Sequence, residues 1–491
     1  MMAGCYLGKK EPEKAVAVLD RFMRQVKTGP DYLRAKLLKA SIRMDQKNYD
    51  AALALAEEVL KENPGDVKAH TIKGDILANR QDYTGAIGEY RAVLNEEPGN
   101  VHASLNLARS HLFNNEPLLA RQTYEKLLEQ KPDVTQARLA LADIYRRKGK
   151  IDAARQQLEK VLEKEPDNFS VLKALTDIAL VRKDIDGLRD YTARLIKLRP
   201  DSPDALYRMG ILNLVEKKTK AAEGFFEKAL ARDPDFEPAL QQIVNMRVME
   251  KDPAGAIRRC ERQIRKSPDN ADYYALLGKL CASRKDYENA RKNFMLALDK
   301  NPDSIPALTG LARLEQSTGS IDQAIANYGK IREKKPDDLR IALLLARLYE
   351  QKPDVRKAKA LYEEILKKNP DTAVAANNLA FYYAQYEPTP ENLKKAEALI
   401  KPLLRKYKKD PNVLDTQAWI CYRRGDFEKA RFALADVEEK VKDIPVFSYH
   451  LGMIYLKLGE KDKARKYLEA AIGSKKAFPG KDDAKEALHS L

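Results

Sequence analysis

Side chains that do covalent chemistry are sparse and scattered in this sequence. The five histidines, His70, His102, His111, His450 and His489, contain no i, i+4 pair and no HExxH. His102 and His111 stand nine residues apart, a poor spacing for a shared metal. The four cysteines, Cys5, Cys260, Cys281 and Cys421, form no CxxC. The last three fall on apolar stripes and read as small buried hydrophobes. GxGxxG and GxSxG do not occur, and Gly4 to Gly8-Lys9 has three intervening residues where a phosphate loop needs four. Carboxylates spread over every polar face and single out no acid–base pair. The sequence implies no catalytic residue, no metal and no cofactor.

Non-covalent chemistry is better patterned. Lys279, Arg313 and Arg347 recur at a step of 34. On equivalent elements they would form a column of cations able to pair with carboxylates. Upstream the same position reads Asp75, Arg109, Asp143, Asp177, Ile211 and Asn245, so the column leans acidic early and basic late. Phe381, Tyr382, Tyr383 and Tyr386 lie just beyond it and can add apolar contact. A second pattern is apolar: Leu180-Val181, Leu214-Val215 and Val248-Met249, with Ile211 nearby. Facing outward they would make a partner-binding patch; the alternative is packing beneath turns.

The elements that must position these residues are written in two ladders. Proline falls at Pro64, Pro98, Pro132, Pro166, Pro200, Pro234, Pro268, Pro302, Pro336 and Pro370, each step 34 residues. Alanine runs beside it at Ala52, Ala86, Ala120, Ala154, Ala222, Ala256, Ala290, Ala324 and Ala358, with Leu188 on the missing rung. Within Asp269–Pro302, Tyr273, Leu276, Leu277, Leu280 and Cys281 make one helical stripe; Tyr287, Ala290, Phe294, Ala297 and Leu298 make another. Gly278 sits in the first stripe, twelve residues before Ala290. A glycine inside a helix costs about 1 kcal/mol, so a close crossing of two antiparallel helices is expected there. The residue before each closing proline avoids the helical region and ends the second helix.

Two helices per 34 residues, small residues at the crossing, an aromatic or Leu four residues after the alanine and a closing proline resemble the tetratricopeptide repeat. The resemblance covers nearly the whole chain, in a bacterial or archaeal style. It implies an all-α, right-handed α-solenoid of about fourteen tandem helix-turn-helix units. Residues 1–30 read as an incomplete first unit, 31–370 as ten regular units, and 371–479 as three more, the first with a lengthened turn between its helices. Residues 480–491 read as a capping helix. The resemblance also implies that first helices line a concave groove, which would hold the basic column about 10 Å apart per step. At that spacing ordinary salt largely screens the cations from one another. The Lys/Asn clamp with which some members hold chaperone C-termini does not occur in consecutive units.

The expected function is a non-enzymatic scaffold that binds a protein or peptide segment, acidic or carboxylate-bearing, in its groove. The alternatives are a nucleic-acid-binding helical repeat, or the recognition part of a larger enzyme or of a cell-envelope secretion or polysaccharide-export assembly. Charge is the only support for nucleic acid: 89 basic against 73 acidic residues give +16, with both signs interspersed. No run of about 18 apolar residues is present. The N-terminus reads as a start inside a helix, since Ala3 precedes Ala15 by twelve. That suggests a fragment; Ala3-Gly4-Cys5 also resembles a lipoprotein cleavage site. Location is cytoplasmic by default, or periplasmic or lipid-anchored if a signal is missing. Two departures are expected to alter the stack: bulky Leu188 at a crossing, which should splay its helix pair, and Tyr386-Glu387-Pro388-Thr389-Pro390, where Ala380 to Ala396 is sixteen residues.

Overall fold

Each 34-residue step builds one antiparallel helix pair. A computed structural model describes residues 2–352, 355–474 and 478–491, and contains no strand among them. Residues 475–477, inside the last of the three late units, lie outside the described residues. The chain divides into two units, Met1–Ala239 and Leu240–Leu491.

In the first unit the pairs are α1 (Met2–Gly8) with α2 (Pro12–Gln25), α3 (Pro30–Asp45) with α4 (Tyr49–Glu62), and α5 (Val67–Asn79) with α6 (Tyr83–Glu96). They continue with α7 (Val101–Phe113) and α8 (Pro117–Gln130), then α9 (Thr135–Arg147) and α10 (Ile151–Lys164). The last are α11 (Phe169–Arg182) with α12 (Ile185–Leu198) and α13 (Pro203–Val215) with α14 (Thr219–Arg232). The division falls within α15 (Glu237–Met249), which precedes α16 (Pro253–Lys266). The second unit continues with α17 (Ala271–Ser283) and α18 (Tyr287–Lys300), α19 (Ile305–Ser317) and α20 (Ile321–Lys334), and α21 (Leu339–Tyr349) and α22 (Arg356–Lys368). Then come α23 (Ala373–Tyr386) and α24 (Pro390–Lys406), α25 (Pro411–Arg423) and α26 (Phe427–Leu434), and the short α27 (Glu438–Val441). α28 (Pro445–Lys457), α29 (Lys461–Gly473) and α30 (Lys481–His489) end the chain.

The pair α17/α18 shows why the sequence folds this way. The Asn270 side chain accepts from the Asp272 N–H and the Asp286 side chain from the Asn289 N–H, so both helices start on a capped turn. Asn301 ends α18 in extended backbone just before Pro302. Ala290 and Phe294 are buried. A Cβ on Gly278 would lie 2.7 Å from the Phe294 ring and 3.1 Å from the Ala290 carbonyl oxygen. Glycine is there because the facing helix and its aromatic ring occupy the space a side chain needs.

One backbone feature repeats with the ladder. Lys47, Gln81, Asn115, Lys183, Lys217, Lys251 and Lys285 all carry a left-handed φ of 58–64° at the turn inside the pair. Gly149, Gly319, Gly425 and Gly459 hold the equivalent place elsewhere.

The insertion after Ala380 corrects one expectation. The link between α23 and α24 is Glu387–Thr389, no longer than Arg284–Asp286 between α17 and α18. The extra residues lengthen the helices instead: α23 has 14 residues against 13 in α17, and Ala396 is the seventh residue of α24 where Ala290 is the fourth of α18. Pro390 is compatible with a first helical turn, and the Thr389 side chain accepts from the Asn392 N–H, so α24 starts early. Leu188 is buried against Ala179 and Leu212.

Candidate functional site

In the second unit Gly278, Ala312 and Ala346 are buried on α17, α19 and α21. The next residue on each helix is turned about 100° around the axis. Those residues are Lys279, Arg313 and Arg347, and all three are exposed. None of the three has an ion-pair partner among the described residues. Other repeated charges are satisfied by the fold: Lys300 pairs with Asp269 at 2.6 Å, Lys334 with Asp303 at 2.7 Å and Lys368 with Asp337 at 2.9 Å. The Arg313 guanidinium lies close enough to Tyr328 to oppose the rise in its pKa that burial causes.

The same position on the next two first helices is aromatic and filled. Phe381 follows Ala380 and is half-buried; Trp419 follows Ala418 and is fully buried. The Trp419 Nε1 donates to Gln385 Oε1 at 2.7 Å. Its ring stacks on His450 at 4.0 Å and on Tyr422 at 4.7 Å. His450 Nδ1 lies 2.8 Å from a carboxylate oxygen of Asp415, and both residues are buried. Phe381 meets the other side of this cluster, 5.8 Å from the His450 ring.

Between the open column and this cluster is a depression of about 360 Å³, lined among others by Glu350, Asn377, Phe381, Tyr382, Tyr386 and Thr416. Glu350 accepts from the Tyr362 hydroxyl at 2.8 Å, and Asn378 Nδ2 reaches that hydroxyl at 2.9 Å. The surrounding protein pushes the Glu350 pKa up, against the opposing pull of the Tyr362 hydrogen bond and of Arg347. Asn377 Oδ1 is buried without a partner among the described residues.

The first unit has its own groove, about 530 Å³, lined among others by Met44, Tyr83, His102, Asn106, Arg109 and Phe113. Asp75 accepts there from the Tyr90 hydroxyl at 2.7 Å and lies 3.0 Å from His102 Nε2, which holds the His102 pKa above its ordinary value. Asp75 is thus engaged by its own neighbours, while Arg109 is exposed. Leu180 is 41% and Val181 68% exposed, whereas Ile211, Leu214 and Val215 are half-buried. In the second unit Val248 is 47% and Met249 83% exposed. The apolar positions therefore neither pack away nor all face solvent. Cys260 and Cys281 are buried, with burial pushing the Cys260 thiol up to about 12; Cys421 is half-buried and Cys5 exposed.

The depression at Glu350 and Asn377 is not singled out by residue type alone. A signal was available: carried past the insertion, the cationic column reads Phe381 and then Trp419, the only tryptophan in the chain.

No curated protein matches the chain. Models described as tetratricopeptide repeat match residues 5–66, 37–101, 185–235 and 251–305; 77–133, 116–178, 282–348 and 316–380; and 447–478. Among solved structures, a tetratricopeptide repeat protein from Parabacteroides merdae is 20% identical, with 51% of this chain and 96% of that one covered and a TM-score of 0.39. The APC/C hetero-tetramer Cut9–Hcn1 is 15% identical over 84% of this chain and 88% of that one, with a TM-score of 0.35. The MamA protein is 20% identical over 34% and 91%, with a TM-score of 0.32. An all-α solenoid of tandem helix pairs, matched by tetratricopeptide repeat models over most of its length, belongs to the tetratricopeptide repeat family.

Proposed function

We propose that the chain is a non-catalytic scaffold whose second unit binds an acidic segment of a partner protein. Repeats of this family typically mediate protein–protein interaction. The observation that carries the finer reading is the column itself: Lys279, Arg313 and Arg347 are exposed at one position of three successive first helices and make no ion pair among the described residues. A partner's carboxylates supply that pairing, as charge-assisted hydrogen bonds. Val248 and Met249, exposed on α15, offer apolar contact in the same unit; Ile211, Leu214 and Val215 are the corresponding half-buried positions of the first unit.

Among the described residues no group of three or more His, Cys, Asp or Glu is placed to hold a metal. Among the described residues no helix is long and apolar enough to cross a membrane. A cytoplasmic setting is the default for the reading, and a cell-envelope one serves it equally, because the column needs only an acidic partner.

The test is a fluorescence-anisotropy titration of a labelled peptide with glutamate at every third position. Successive helices about 10 Å apart and about 3.3 Å per extended residue set that spacing. Binding that weakens at least tenfold in the variant K279E/R313E/R347E, with unchanged circular dichroism, supports the reading. Equal affinity for both proteins rejects it. A single-stranded RNA that binds more tightly than the peptide, with a steep salt dependence, favours the nucleic-acid alternative.

A further inference from the structure

The column does not end in open surface; it ends in the depression lined by Glu350, Asn377, Phe381, Tyr382 and Tyr386. Its chemistry is opposite to that of the column. Glu350 lies one helical turn after Arg347, yet the two make no ion pair, and among the described residues its only side-chain hydrogen-bond donor is the Tyr362 hydroxyl. Asn377 Oδ1 is a second acceptor, buried and without a donor among the described residues. The other carboxylate on this wall, Asp415 on α25, is occupied by His450 on α28. Tyr382 and Tyr386 have ring centroids 5.2 Å apart, inclined at 45°, and Phe381 completes an aromatic lining.

A carboxylate with no cation beside it and an amide oxygen with no donor, both among the described residues, together with aromatic faces in one recess suit a planar donor-only cation. A guanidinium donates to two acceptors at once and stacks on rings. We propose that this depression binds an arginine side chain of the partner, so that the segment recognised carries acidic residues along the column followed by one arginine. The proposal rests on the acidic-segment reading for the neighbouring residues but not for the recess itself.

The separation follows from the repeat. From the Arg347 position to the next first helix is about 10 Å, or about three extended residues. The arginine therefore belongs about three residues beyond the last glutamate, at one end of the peptide.

The experiment uses the full chain and four peptides: glutamate at every third position with arginine at the next such position, at either end, and both again with glutamine for arginine. In one orientation the arginine peptide is expected to bind about fivefold more tightly than its glutamine counterpart, and Glu350→Gln is expected to remove that preference. Gln keeps an acceptor for Tyr362, so the fold is expected to persist; circular dichroism checks it. Acetyl-Gly-Arg-Gly-amide, titrated calorimetrically at millimolar concentration, tests the recess without the column.

Absence of an arginine preference in both orientations, or its survival in E350Q, overturns the proposal when glutamate peptides bind. If glutamate peptides fail to bind but the short arginine peptide binds wild type and not E350Q, the recess stands and the acidic-segment reading falls. If neither binds, both fall.

Discussion

Two stretches of the second unit occupy the same position of the repeat and do opposite things. On α17, α19 and α21 the residue after the buried small side chain is Lys279, Arg313 or Arg347, and it stays in water. On α23 and α25 it is Phe381 or Trp419, and the wall closes over it, completely at Trp419. The backbone plan is shared; the side chain decides whether the position remains available. A solvated cation gains nothing from burial and loses hydration, so the column stays open. A tryptophan gains most by leaving water, so Gln385, Tyr422 and His450 collect around it. The same position of the repeat is thus open where it carries a cation and covered where it carries an aromatic ring.

The comparison breaks most directly at Trp419. Trp419→Ala is expected to cost about 3–5 kcal/mol in urea denaturation followed by circular dichroism. Arg313→Ala, at the same position of the open stretch, is expected to stay within about 0.5 kcal/mol. Equal effects would mean that the two stretches are not differently packed. Asp415→Ala comes next, at about 1–3 kcal/mol, because it removes the hydrogen-bond partner of buried His450 Nδ1, and Nε2 has none among the described residues.

At the border between the stretches the expected signal is in binding. Glu350 must be ionised to hold a cation, and its pKa is raised. As pH falls, the arginine preference should therefore vanish at a higher pH than an ordinary glutamate, near 4.5, would give. The loss is about fivefold, or about 1 kcal/mol. A preference that persists unchanged through that range removes Glu350 from the recess.

The smallest effects lie at the turns. The filled stretch has Gly425 at φ 85° where the open stretch has Lys285 at φ 63°. Gly425→Ala is expected to destabilise by about 1 kcal/mol, since a Cβ is strained in that conformation. Lys285→Gly is expected to change stability by about 0.5 kcal/mol in the favourable direction, relief of strain being partly offset by the freer unfolded chain. Thermal denaturation of both variants checks the signs.

Much of the site was visible in the residues. The step of 34 placed Lys279, Arg313 and Arg347 on equivalent helices, one residue past a buried small side chain, and their charge keeps them in water where Phe381 and Trp419 are covered. The aromatic run at 381–386 was visible as well, but not its division: Tyr382 and Tyr383 are buried, Phe381 is half-buried and Tyr386 is 40% exposed. Extra residues between Ala380 and Ala396 were visible too, yet whether they looped out or extended a helix depended on Pro390 and Thr389 starting a turn early.

The sequence alone determined the periodic part: which segments are helices, where they stop, and which small residues meet at each crossing. Those follow from local propensity and from contacts whose spacing repeats. Only the tertiary structure decided which of these positions are covered. Trp419 is enclosed by Gln385 and by His450, residues from the helix pairs on either side, and Glu350 makes no ion pair among the described residues although Arg347 is three residues away. Burial and pairing at such positions depend on what neighbouring repeats bring into reach, and that is set by packing in three dimensions.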